Sequence, residues 1–217
     1  MFRVILWSEW KWSRLAITLG TIAGFGLPMV SLRGALSGDP AEKPAELLRA
    51  VQAWGTLYPA LAGTLGLLMA IAAWAPDHRG RHVLALSLPI PRWRYVLLRF
   101  GAGMTLLSLP IAAVLVSGLI ATGTASLPEG LHGYPVALAV RFALAVLVAF
   151  SLFFAISGST ARTAGIILGT IGGLIVITIL AGVAGVNVEF LGRIPAAVFD
   201  WPGPFAIFAG RWMLIDV

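Results

Sequence analysis

The chain has 217 residues, 59% of them hydrophobic and 11% charged, with a formal net charge of +6 and a mean hydropathy of +0.94. A soluble domain carries charge on roughly a quarter of its positions, so lipid rather than water must solvate most of this surface. The absence of cysteine excludes disulfides, thiolate zinc sites and thiol nucleophiles together.

The basic balance is not the footprint of a nucleic-acid binder. Lys and Arg stand in short clusters beside apolar stretches rather than along a soluble face, and no nucleic acid is expected as a partner.

In chain order, the first 14 residues place Phe2, Ile5, Leu6, Glu9, Trp10 and Ser13 at helical spacing, which predicts an amphipathic helix over 1–14 lying along a membrane interface. A window of about 19 residues, the length that crosses roughly 30 Å of hydrocarbon, then predicts five spans, near 15–32, 54–75, 96–122, 135–157 and 163–186. All are predicted helical, because an open strand would leave its N–H and C=O groups unpaired in lipid, and the alternation of a barrel strand is absent. Pro28 and Pro110 fall within the first and third spans, where each removes a backbone donor and predicts a kink. The stretch 190–217 is broken by Arg193, Pro195, Asp200, Pro202, Pro204 and Arg211 and reads as two short helices on the outer surface rather than a sixth span. Residues 1–217 are thus expected to form a single all-α, polytopic membrane domain.

Lys and Arg mark the cytoplasmic flanks of membrane helices. One side holds Arg3, Lys11, Arg14, Arg79, Arg81, Arg92, Arg94, Arg99 and Arg162 against Glu9 and Asp77; the other holds most of the acidic residues. The N-terminus is therefore expected in the cytoplasm, and the eight tryptophans fall at or beyond span ends, as interfacial rings do.

The chain offers little for covalent chemistry. His78 and His82 are four apart, but the glutamate that a zinc-protease helix needs beside its first histidine is Arg79, so no metal site is expected. There is no G-x-S-x-G elbow, no paired carboxylate within a span and no G-x-x-x-x-G-K-[ST] loop, and therefore no catalytic or cofactor-binding residue is expected. The one charge placed clearly within a span is Arg141. Six residues beyond Pro135, about 9 Å along a helix, it is expected to snorkel to the outer headgroups; alternatively it faces the bundle and pairs with Glu129, Glu189 or an anionic substrate.

Glycines are more telling. Gly165, Gly169 and Gly173 repeat every fourth position of the fifth predicted span, aligning them on one face where another backbone fits closely. That face is a packing seam within the chain, a dimer seam or a pathway lining. Gly20 with Gly24, and Gly55 with Gly63 and Gly66, thin the first and second spans similarly.

The segment from Asp77 to Arg99 carries a resemblance. The string Leu86-Ser87-Leu88-Pro89-Ile90-Pro91-Arg92-Trp93-Arg94-Tyr95, preceded by Asp77, Arg79, Gly80 and Leu84 and followed by Arg99, resembles the loop between the second and third spans of type-2 ATP-binding-cassette (ABC) exporter permeases. The Trp- and Lys-bearing start, the short fourth connection and the WPGPF segment extend the likeness over most of the chain. Members usually have six spans, so by this resemblance the chain is expected to be truncated or to lack the last one.

The resemblance implies a permease subunit in a bacterial inner membrane. It would pair with a second permease copy or a paralogue, with membrane lipids, and with a dimer of cytosolic ABC ATPase subunits that hold the ATP and Mg; the chain itself would carry no cofactor and no enzymatic activity. It implies a coupling loop over about 77–87, with Asp77, His78, Arg79, Arg81, His82, Leu84 and Leu86 facing the ATPase. It also implies a pathway lined from the second and fifth spans, for which Tyr58, Thr64, Met69 and Thr170 are the candidates. An apolar lining would suit hydrophobic or amphipathic cargo, as in multidrug export. The alternatives are a noncatalytic membrane scaffold or small channel, for which the glycine seams would suffice, and a membrane-embedded lipid-modifying enzyme, for which His78 with His82 is the single polar cluster.

Overall fold

The computed structural model describes residues 1–36, 44–79, 91–125, 127, 130–159, 162–163, 165–167, 169–170, 172–173, 176–177, 203 and 205–216. Five helices organise them: α1 (Phe2–Leu36), α2 (Pro44–Gly55), α3 (Leu57–Arg79), α4 (Arg92–Thr124) and α5 (Pro135–Ser157). Two short strands, β1 (His132–Gly133) and β2 (Ile215–Asp216), pair antiparallel with His132 opposite Asp216 and Gly133 opposite Ile215.

Among the described residues four helical stretches, not the expected five, are long and apolar enough to cross a membrane: α1, the end of α2 continued by α3, α4 and α5. The fifth expectation, 163–186, falls largely outside the described residues. The positions described there are helical and exposed.

The expected boundary between an interfacial helix and a first span is absent. Residues Phe2–Leu36 form one helix of 35 residues, about 52 Å long at 1.5 Å per residue, well beyond the roughly 30 Å of hydrocarbon. The reason lies in its buried face. Glu9, Ser13, Ile17, Gly20, Gly24, Pro28, Ser31 and Leu32 are buried at spacings of three and four across residue 14, so one continuous stripe packs on the bundle. Phe2 and Trp10, expected to lie on the apolar side of a separate amphipathic helix, are exposed.

Prolines 28, 76 and 110 lie inside helices without ending them. The break that does occur, between α2 and α3, comes at Gly55, where a Cβ would collide with the carbonyl of Trp212. The stretch 205–216 is likewise not the second of two short helices. After a 3-10 turn at Ala206–Phe208 it runs extended into β2, with Trp212, Leu214 and Ile215 buried. The α4–α5 connection offers a free strand edge at His132–Gly133, and Tyr134 N–H donates to Leu214 O at 2.8 Å, which satisfies backbone groups that a buried coil would leave unpaired.

The helices run up and down, with α1 packed mainly on α4 and α3 mainly on α5; α4–α5 and α1–α3 contacts close the bundle. Lipid tails are as apolar as leucine, so association rests on close packing rather than on hydrophobic transfer. The tightest crossings use glycine. At Gly66 a Cβ would come within 2.6 Å of Ala149 Cβ and 2.7 Å of Phe150 N, and Gly20 and Gly103 admit Leu65 and Phe150 in the same way.

Candidate functional site

At the end of the bundle that carries Met1, three helices deliver polar side chains into the interior. The last turns of α3 supply Trp74, Asp77 and His78; the first turns of α4 supply Tyr95 and Arg99, four apart and therefore on one face; α1 supplies Glu9 and Ser13 with the same spacing. Asp77 is 1% exposed, Arg99 4% and Glu9 1%.

Arg99 Nη2 donates to Asp77 Oδ1 at 3.3 Å, and Nη1 donates to the Ala73 carbonyl. The Tyr95 hydroxyl sits 3.1 Å from both Asp77 oxygens and donates to the carboxylate. The guanidinium also lies over two rings, 5.4 Å from the Trp74 centroid and 5.0 Å from that of Tyr95, where the ring quadrupole favours a cation. Asp77 thus holds one counter-charge and one hydroxyl donor, as a buried carboxylate requires.

Trp74 and His78 extend the cluster to α5. Trp74 Nε1 donates to Phe154 O at 3.0 Å, and His78 Nε2 lies 2.8 Å from Ser157 O. Phe154 O also accepts the Gly158 N–H at 2.9 Å, so the end of α3 is tied to the last turn of α5 while α4 holds α3. Glu9 completes the group differently. Ser13 Oγ donates to its backbone carbonyl at 2.8 Å, but neither carboxylate oxygen is hydrogen-bonded among the described residues, nor is Arg99 Nε.

A second polar knot lies at the opposite end. Half-buried Arg141 donates from Nε and Nη2 to Ile207 O, both at 3.4 Å, and to the carbonyls of Ala209 and Arg211; it sits 4.5 Å from the Trp212 ring centroid. Gly210, at φ +82, turns the chain between Ala209 and Arg211, whose carbonyls meet one guanidinium with that of Ile207. Arg141, Arg211 and Trp212 border an open cleft of about 290 Å³ that also includes Tyr134 and Asp216. Arg141 takes backbone carbonyls and pins the 205–216 segment to α5. Its two expected partners, Glu129 and Glu189, lie outside the described residues.

The residues assigned to an ATPase-facing loop divide. Asp77 is in the core, His78 is half-buried against α5, and Arg79 is exposed with its guanidinium 4.3 Å from the Trp12 centroid. Arg81, His82, Leu84 and Leu86 lie outside the described residues. The pathway candidates differ in burial. Tyr58 and Met69 are buried, with Tyr58 stacked on Trp212 at 6.3 Å. Thr64 and Thr170 are exposed and bonded to carbonyls of their own helices. Among the described residues a Cβ at Gly165, Gly169 or Gly173 would meet nothing within 4 Å, whereas one at Gly20 or Gly66 would collide with a neighbouring helix.

Sequence reasoning missed Glu9 and Arg99 as site residues. Glu9 counted as a member of an amphipathic interfacial face, Arg99 as a flanking charge closing the permease-like string, and Arg141 as the one intramembrane charge. The signal that could have exposed them is register: Glu9 shares its face with Ser13, Ile17 and Gly20, and Arg99 shares its face with Tyr95, Ala102 and Leu106.

Four apolar spanning helices, tight glycine crossings and an interior ion pair define a multi-pass helical membrane protein. Comparison with protein-family models, with curated proteins and with solved structures finds no match.

Proposed function

We propose that the chain is the membrane-spanning permease subunit of an ATP-driven transporter of the type-2 ABC kind, which exports hydrophobic or amphipathic compounds. A separate cytosolic ATPase dimer binds the connection between α3 and α4, and a second permease copy or paralogue completes the pathway. The end that carries Met1 and the basic flanks faces the cytoplasm.

The observation that carries this reading is the Asp77–Arg99–Tyr95 knot. It clamps the two helix ends that flank the 80–90 connection, so a push on that connection reaches α3 and α4 as one body, and α5 through Trp74 and His78. Basic residues on both flanks, Arg79, Arg92 and Arg94, are exposed beside it and suit a partner's carboxylates. Because Asp77 is buried, the docking role falls to Arg79 and to Arg81, His82, Leu84 and Leu86, with Asp77 as the anchor.

The test is the paired change Arg81→Glu with Leu84→Asp in the full chain. Expected is normal membrane insertion with loss of the cytosolic ATPase from the purified complex; undiminished association would overturn the docking assignment.

A further inference from the structure

The charges in the buried cluster do not balance. Two carboxylates, Glu9 and Asp77, are buried with one guanidinium, Arg99. Asp77 takes the ion pair and the Tyr95 hydroxyl, while both oxygens of Glu9 stay unbonded among the described residues. An ionised carboxylate held this way keeps its desolvation penalty uncompensated, and proteins avoid that state by neutralising the group. A metal ion or a proton could do so. A buried metal ion needs several oxygen ligands around it, and no group of three metal-ligating side chains gathers among the described residues. A proton needs a single oxygen.

We infer that Glu9 is a proton-binding site: its carboxyl carries a proton in the conformation seen, and loss of that proton to water at the Met1 end redirects Arg99. The charged group beside it is Arg99 from α4, whose guanidinium is shared with Asp77 of α3 and lies over the Tyr95 ring. Arg3, Lys11 and Arg14 on α1 are exposed, and the Ser13 hydroxyl is turned to the Glu9 backbone carbonyl. Of these, the Arg99 charge acts on Glu9, and Arg99 Nε is itself a buried donor without an acceptor. With Glu9 protonated, Arg99 belongs to Asp77 and ties α4 to α3. With Glu9 ionised, one guanidinium serves two carboxylates and α1 competes with α3 for it. The proton therefore selects which helix α4 is tied to, beside the 80–90 connection, whether or not an ATPase binds there.

The experiment uses the purified full chain in lipid nanodiscs and infrared spectroscopy of the carboxyl carbonyl stretch. Expected is a protonated-carboxyl band at neutral pH that disappears under alkaline conditions, is the same with and without sodium, and is absent in Glu9→Gln. Carboxyl-carbon-13 glutamate shifts a glutamate band and not an aspartate one, which keeps the wild-type measurement decisive if Glu9→Gln fails to fold. No protonated band at neutral pH, a band that survives Glu9→Gln, or a band that appears only when sodium is withdrawn would each overturn the inference.

Discussion

Arg99 reaches back from the second turn of α4 to Asp77 in the last turn of α3, Nη2 to Oδ1 at 3.3 Å, with both side chains buried. Removing one partner of such a pair strands the other charge, whereas replacing both with apolar groups strands neither. Asp77→Asn is therefore expected to cost about 3–5 kcal/mol, and Asp77→Leu combined with Arg99→Met to recover most of that loss. Denaturant or thermal unfolding in detergent checks this; a double variant as unstable as Asp77→Asn would contradict the buried pair.

Gly66 sets the α3–α5 crossing, since a Cβ there would meet Ala149 and the Phe150 backbone. Backbone cannot step aside as a flexible side chain can. Gly66→Val is expected to destabilise by about 1–3 kcal/mol through overpacking, while Gly63→Ala, open on that side, is expected to stay within about 0.5 kcal/mol. Unfolding measured side by side distinguishes them.

Arg141 holds three carbonyls of the 205–216 segment. Each hydrogen bond to a charged donor contributes on the order of 1.5–3 kcal/mol, so Arg141→Leu is expected to release this segment locally while the helices persist. Tryptic cleavage after Arg211 would accelerate about tenfold or more, because local opening controls access. An unchanged cleavage rate would show that β1–β2 pairing alone retains the segment.

The absence of native cysteine makes single-cysteine labelling clean. Cysteine at Arg3 and at Arg92, both exposed at one end of the bundle, is expected to react with a membrane-impermeant maleimide only from the cytoplasmic side, and cysteine at Tyr134 only from the other. Labelling of Arg3 and Arg92 positions from opposite sides would contradict the up-and-down order of the helices.

Helix existence was legible because hydropathy is a property of the segment: the span expected at 135–157 coincides with α5 (Pro135–Ser157). What hydropathy could not convey is which face of a helix turns inward. Glu9 reads as one acidic residue in a basic lead, and only packing against Arg99 makes it a core group. The length of α1 was hidden for the same reason, since residue 14 marks a change in composition and not in backbone. The pairing of β1 with β2 joins residues more than 80 positions apart, and no local pattern announces it. Arg141 stood out in sequence as a charge in an apolar span, yet its carbonyl partners carry no sequence signature at all.

Isolation of the intact chain from its native membrane in mild detergent shows whether an ATP-hydrolysing partner docks beside the Asp77–Arg99 clamp. Expected is a stoichiometric soluble subunit containing G-x-x-x-x-G-K-[ST], with ATP hydrolysis in the complex that is lost with Arg81→Glu and Leu84→Asp. A chain that is stable, folded and reproducibly isolated with no such subunit would contradict it.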